Sequence, residues 1–159
     1  MSMGKATAHP GAAPAVSAEE ALRAARAAVA ALHAGDLAAQ MLGIDVLDTA
    51  PGHVRVTMKV RADMLNGHRT CHGGIVFALA DTAFAFACNS YGQPMVAAGA
   101  SIEFLAPVVL GETLIAAARE TSRGARHGIY DVSVTGASGE PVAHFRGRCA
   151  RLRAPSAAS

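Results

Sequence analysis

Cysteine is scarce in this 159-residue chain, and the three present, Cys71, Cys88 and Cys149, are odd in number. With no C-x-x-C spacing among them, neither a zinc site nor a disulfide framework is indicated, and reduced thiols in a cytosolic protein are expected. Charge is scarce as well. Only 16% of residues are charged, the net charge is +2, and no Lys/Arg block stands out. A nucleic-acid-binding surface is therefore not indicated. Long apolar runs are missing, because Asp81 interrupts the best candidate, so no membrane span is expected. The opening MSMGKATAHPGAAPAV has no apolar h-region and does not read as a signal peptide. Nor does the chain contain a G-x-S-x-G elbow, a Walker loop or a Rossmann fingerprint.

What remains is 52% hydrophobic, enough for one globular domain with a real core. Residues 1–16 and 154–159 read as flexible tails flanking a domain over 17–153. Ser17 and Glu20 form an S-x-x-E capping box. The helix it starts is expected over Ala18–Ala34, with Leu22, Ala25, Val29 and Leu32 as its stripe, a Glu19–Arg23 pair, and Gly35 as its stop. Asp36 can cap a second short helix, Leu37–Leu42. A short strand then leads to the Pro51-Gly52 turn. HVRVTMKV follows with clean alternation, the mark of a half-buried antiparallel strand. Four further strands are expected, over Val96–Leu105, Glu112–Thr121, Gly128–Thr135 and Val142–Leu152.

Between them lies CHGGIVFALADTAFAFACNS, residues 71–90. It has no alternation, no Pro and few β-branched residues, so a helix is expected over Gly74–Asn89. It is apolar on nearly all sides and should be buried all round. One curved sheet cannot cover such a helix completely, which implies a second subunit. The one carboxylate inside it, Asp81, lies among Phe77, Ala78, Phe84 and Ala85. A carboxylate in that setting is a candidate general base or nucleophile.

His72-Gly73-Gly74 stands where the helix begins. Glycines there admit a ligand close to the backbone, and the first amides of a helix point at whatever lies in front of them. Either this is a plain glycine turn or it stabilises a carbonyl oxygen gaining negative charge. Asp81 follows Gly73 by eight residues, about 12 Å of helix. One chain's Asp81 therefore does not reach its own helix start, whereas an antiparallel neighbour's would. Asn66-Gly67 is either a common turn or a source of an amide that orients water. His144, Arg146 and Arg148 recur at period two and share a face, either solvated or contacting phosphate. His68, Cys71 and His72 lack metal-ligand spacing.

"MLNGHRTCHGGIVFALADTAFAFACNS", "SIEFLAPVVLGETL" and "GIYDVSVTG…AHFRGRCARL" resemble the hotdog-fold acyl-CoA thioesterases of the phenylacetic-acid-degradation (PaaI) type, over about residues 36–152. The resemblance implies an α+β fold, a curved antiparallel sheet wrapped around one long central helix. It implies a homo-oligomer, commonly a dimer of dimers, with active sites at the subunit interface, and no metal or redox cofactor. The implied activity is hydrolysis of acyl-CoA thioesters, often phenylacetyl-CoA or hydroxyphenylacetyl-CoA, in the cytoplasm. Asp81 matches the family's acid, Gly73 the glycine whose amide polarises the thioester carbonyl, His72 a histidine that holds that geometry, and Asn66 an asparagine near the reacting centre. Gly74, Phe77, Arg146 and Arg148 are the expected substrate contacts. At Ala97 relatives often carry Ser or Thr. Two rivals share the fold: a hydratase or dehydratase, which needs a His and an acid around two substrate carbons, and a non-catalytic acyl-CoA-binding module.

Overall fold

The computed structural model describes residues 16–152; apart from Val16, both expected tails lie outside the described residues, as does the expected domain end at 153. Helix α1 (Ala18–Gly35) and the short α2 (Leu37–Leu42) come first. They are followed by strands β1 (Asp45–Ala50) and β2 (His53–Lys59), the central helix α3 (Gly73–Asn89), and strands β3 (Met95–Phe104), β4 (Thr113–Arg123), β5 (His127–Gly136) and β6 (Pro141–Arg151). The strands form one antiparallel sheet in the order β1-β2-β4-β5-β6-β3. It curves around α3, and the hotdog fold follows.

Local chemistry sets the boundaries. The Ser17 hydroxyl accepts the Glu20 N–H at 3.2 Å, and the Glu20 carboxylate accepts the Ser17 N–H at 2.9 Å. Both groups would otherwise be orphaned at the start of α1. The helix runs through Gly35 rather than stopping at it, and Asp36 closes it by donating its N–H to the His33 carbonyl. The Asp36 carboxylate then caps α2 by accepting the Ala39 N–H at 2.9 Å. Two details of α1 differ from expectation. The Glu19–Arg23 pair does not form; both side chains stay in solvent, where such a pair would contribute little. Leu32, at the end of the stripe, stays exposed, because α1 turns Ala25, Val29 and His33 toward the rest of the fold, His33 meeting the Phe86 ring of α3 edge-on at 5.6 Å, with Leu22 half-buried.

The core lies between α3 and the inner sheet face. Val54, Val56 and Met58 of β2 point inward and are buried, as the alternation requires. Leu114, Ala116 and Ala118 of β4, Tyr130, Val132 and Val134 of β5, and Phe145 and Cys149 of β6 do the same. Phe84 of α3 is fully buried and tilts against both Tyr130 and Phe145. Burial of one such ring contributes roughly 2–3 kcal/mol. Gly147 lets the helix come this close: a Cβ there would meet the Phe84 ring at 2.8 Å.

The central helix is not buried all round. Ala78, Asp81, Thr82 and Ala85 are half-exposed and form one stripe along α3. Six strands wrap only part of the helix circumference, so a single chain leaves this stripe open. Beside it runs β3, an edge strand exposed along most of its ten residues.

Candidate active site

The loop before α3 is built by Asn66. Its carbonyl oxygen accepts the N–H groups of His68 (2.9 Å) and Thr70 (3.3 Å), and its amide donates to the Thr70 hydroxyl at 3.1 Å. The turn is closed by Asn66 N–H to the Thr70 carbonyl, 2.8 Å, with Arg69 in a left-handed conformation. Asn and Asp favour such turns because their side chains bond their own backbone. In the single chain the Asn66 side chain is thus engaged with its own loop. That loop delivers His72, whose N–H reaches back to the Met64 carbonyl at 2.8 Å.

His72 is the N-cap of α3. Its Nδ1 accepts the Gly74 N–H at 2.9 Å, which assigns the proton of the neutral ring to Nε2. Its carbonyl accepts from Ile75 (2.8 Å) and Val76 (3.2 Å). Three of the four N-terminal amides are therefore occupied. Among the described residues the fourth, Gly73 N–H, meets no acceptor. This amide carries the positive end of the helix dipole and is free to donate. A cavity of about 300 Å³ adjoins it, lined by Cys71, Gly73, Val76 and the segment Phe104–Val108. Phe104 lies directly over Gly73: a Cβ on Gly73 would sit 3.1 Å from the ring. Phe104 was not singled out from the sequence, because 31 residues separate it from Gly73 and only the sheet brings them together.

Asp81 lies eight residues along α3, half-buried on the open stripe. No described residue donates a hydrogen bond to it. Burial pushes its carboxyl above the ordinary aspartate value, and the negative charge of Asp36 pushes it the same way. The α1–α2 junction thus brings a second carboxylate near the first, which sequence spacing did not reveal. Within one chain, Asp81 and the Gly73 amide stand about two helical turns apart, so neither can act on the other's substrate atom.

The remaining expected contacts are placed less favourably. Gly74 adjoins the cap, but its N–H is taken by His72. Phe77 is half-buried and meets Phe145 edge-on at 5.3 Å. Arg146 and Arg148 share a face, but it is the outer one, separated from α3 by the sheet. Phe145, Gly147 and Cys149 take the inner positions against the helix, which forces their neighbours outward. Arg146 is moreover held by Asp131 through two bonds of 2.6 and 2.8 Å. Ala97 lies on β3 opposite Cys149, next to a bulge at Ala98. The three thiols are buried and free, and burial raises each of them, which keeps them protonated and unreactive.

Residues 68–143 match the thioesterase superfamily. Among curated proteins the chain is 46% identical to the acyl-coenzyme A thioesterase PaaI of Escherichia coli K12, over 77% of this chain and 87% of that one. The solved structure of the E. coli PaaI protein superposes with a TM-score of 0.82 at 43% identity, covering 83% of this chain and 96% of that chain. The structure of smu.793 from Streptococcus mutans, bound to acetyl CoA, superposes with a TM-score of 0.67 at 30% identity, covering 69% and 88%. Among the described residues no helix is long and apolar enough to cross a membrane.

Proposed function

The chain belongs to the hotdog-fold acyl-CoA thioesterases of the PaaI type and is a thioester hydrolase; from that premise we propose that it hydrolyses aryl-acyl thioesters of CoA at sites shared between two copies. The observation that carries this reading is the Gly73 amide without an acceptor on the same helix as an aspartate without a donor. Two α3 helices laid antiparallel along their open stripes bring Asp81 of one copy opposite Gly73 of the other. The β3 edges support this arrangement, since the outer side of this ten-residue strand, whose inner side pairs with β6, offers a row of unpaired N–H and C=O groups as a ready template for a second strand. Joined edge to edge, two copies form one continuous sheet over two helices, and two such dimers make the expected tetramer.

In the proposed reaction, water attacks the thioester carbonyl carbon while the Asp81 carboxylate takes its proton. The carbonyl oxygen becomes an oxyanion that accepts the Gly73 N–H of the other copy. Collapse expels the thiolate of CoA, which recovers the proton from Asp81, leaving a free acid and a thiol. Every proton and electron pair is accounted for by water, carboxylate and amide, so no metal or redox cofactor is needed. His72 and Asn66 act through position, the first by capping α3 so that only the Gly73 amide is open, the second by shaping the loop that delivers it. Ala97 supplies no hydroxyl, so the attacking water is held without one from that position.

The aryl-acyl preference and a role in phenylacetate breakdown follow the E. coli relative, whose structure is described as coming from the phenylacetic acid degradation operon. The Phe104 ring beside Gly73 offers an apolar surface for such a group. Three unpaired buried thiols suit a reducing cytoplasm. The decisive experiment mixes two inactive chains, Asp81→Asn and Gly73→Val. Random dimers should recover about a quarter of wild-type turnover, because half are mixed and each mixed dimer keeps one intact site. No recovery from chains that do dimerise would eliminate the shared site. Release of thiol from phenylacetyl-CoA and from a medium-chain acyl-CoA then ranks the acyl groups, with the aryl ester expected to give the higher kcat/KM.

A further inference from the structure

We propose that Arg148 is a positioning residue: its guanidinium fixes the bulge of β3, and that bulge lets both ends of the strand face the central helix. The effect on turnover rests on the shared-site reading above; the hold on the bulge does not.

Both ends of β3 are tied to α3. At one end the Met95 N–H donates to the Asn89 side chain at 2.9 Å, and the Asn89 amide donates to the Met95 carbonyl at 3.0 Å. The Met95 side chain packs against the core there. At the other end the Phe104 ring lies over Gly73, where the same helix begins. Phe104 follows Met95 by nine positions. Side chains of a regular strand alternate, so residues an odd number apart face opposite sides. The register shows where the alternation changes. Ala97 pairs with Cys149 and Ala100 with Gly147, both inward positions of β6. Between them Gly99 pairs with Arg148, and Ala98 is the extra residue. One such residue turns everything after it to the other face. Met95 and Ala97 thus face α3 before the bulge, and Ile102 and Phe104 face it afterwards. Without the bulge the ring would leave Gly73 for the outer surface.

The strand itself says little about where the bulge belongs. Residues 97–100 read Ala-Ala-Gly-Ala, so side-chain size scarcely distinguishes one position from the next, and weakly specified strands are prone to slip. Arg148 supplies the distinction. Its Nη2 donates to the Ala98 carbonyl at 3.1 Å. A Cβ on Gly99 would lie 3.6 Å from the same nitrogen, so the guanidinium lies across both bulge residues. Among the described residues no carboxylate draws it away; the ion pairs there join Arg61 to Asp63 and Arg146 to Asp131. Its partner on β5, Ile129, is apolar.

The test separates this role from a contact with substrate and from a contribution to stability alone. In Arg148→Met, kcat should fall about tenfold for phenylacetyl-CoA, and by the same factor for the N-acetylcysteamine thioester of that acid, which lacks the nucleotide. Arg148→Lys keeps a charged donor on a long stem and should stay within about threefold of wild type. Amide hydrogen exchange at residues 97–100 reads the bulge without turnover. It should quicken about fivefold in Arg148→Met, with exchange in α3 unchanged. Equal kcat and equal exchange in the methionine variant would overturn the proposal. So would a loss confined to the CoA ester, the mark of a substrate contact, or faster exchange with full turnover. If wild type itself releases no thiol from either ester, faster exchange in the variant upholds the hold on the bulge while removing the hydrolytic reading.

Discussion

Asp81 and Asp131 lie on the two sides of one sheet. Asp131 projects from the outer face, where Arg146 grips it with two nitrogens and the Thr121 hydroxyl adds a third bond. That guanidinium holds its carboxyl below the ordinary aspartate range. Asp81 projects from the helix on the inner side. It has no donor, it is half out of water, and another carboxylate faces it, so its carboxyl is held above that range. The same side chain is thus satisfied in one place and left wanting in the other. A group that is costly to ionise and has no internal partner is what proton abstraction needs, and its stability cost follows from the same fact.

The contrast can be broken most forcefully at Asp81. Asp81→Asn should lower kcat about 10³-fold, the scale of a lost general base. It should leave the protein folded, with Tm equal to or above wild type at neutral pH. The sign follows from linkage. A carboxyl raised in the fold binds its proton more tightly there than in the unfolded chain. Stability is therefore greatest below the ordinary aspartate value, falls as pH rises toward the raised value, and stays lowered above it. Asparagine removes that loss, and a clear drop in Tm would contradict the account.

Gly73→Ala comes next. The added methyl meets the Phe104 ring at 3.1 Å, so the helix start or the ring must shift. A misplaced amide should lower kcat by about 10- to 100-fold. Gly73→Ala with Phe104→Leu should recover part of the loss if the clash is its cause. A smaller effect is expected at Asp36. Asp36→Asn keeps a capping side chain on α2 but removes the facing charge, so the acid limb of the kcat/KM profile should move to lower pH. A limb that does not move would mean that burial alone sets it. Least of all should change with Asp131→Asn. Turnover should be unaffected, and Tm should fall by no more than about two degrees, because an exposed ion pair contributes little. The sign is opposite to that of Asp81: the Asp131 contribution exists above the ordinary aspartate value and fades as pH falls through the lowered one.

The sequence disclosed what neighbours along the chain decide. The capping box at Ser17, the cap at Asp36 and the alternation of β2 place their elements to within one or two residues. The apolar run around Asp81 disclosed the central helix in the same way. It could not disclose which way an alternating strand faces. His144, Arg146 and Arg148 do share a side, but only the fit of Gly147 beneath Phe84 decides that they face outward. Nor could it bring Asp36 to Asp81 or Phe104 to Gly73, since those approaches depend on how α1 and β3 pack rather than on spacing. The half-exposed stripe of α3 was hidden for a related reason. Composition shows that a helix is apolar, not how much of its circumference six strands can reach.

Gly147 has one more consequence. With the Phe84 ring seated where any larger residue would collide, α3 is keyed to β6 as a shaft is keyed to its hub and cannot slip along it by a turn. β6 in turn is hydrogen-bonded to the edge strand β3. Two copies that align their edges thereby index their helices too. In the proposed pair, the gap between an acid on one chain and an amide on the other becomes a machined tolerance, set far from either group by an atom that is missing.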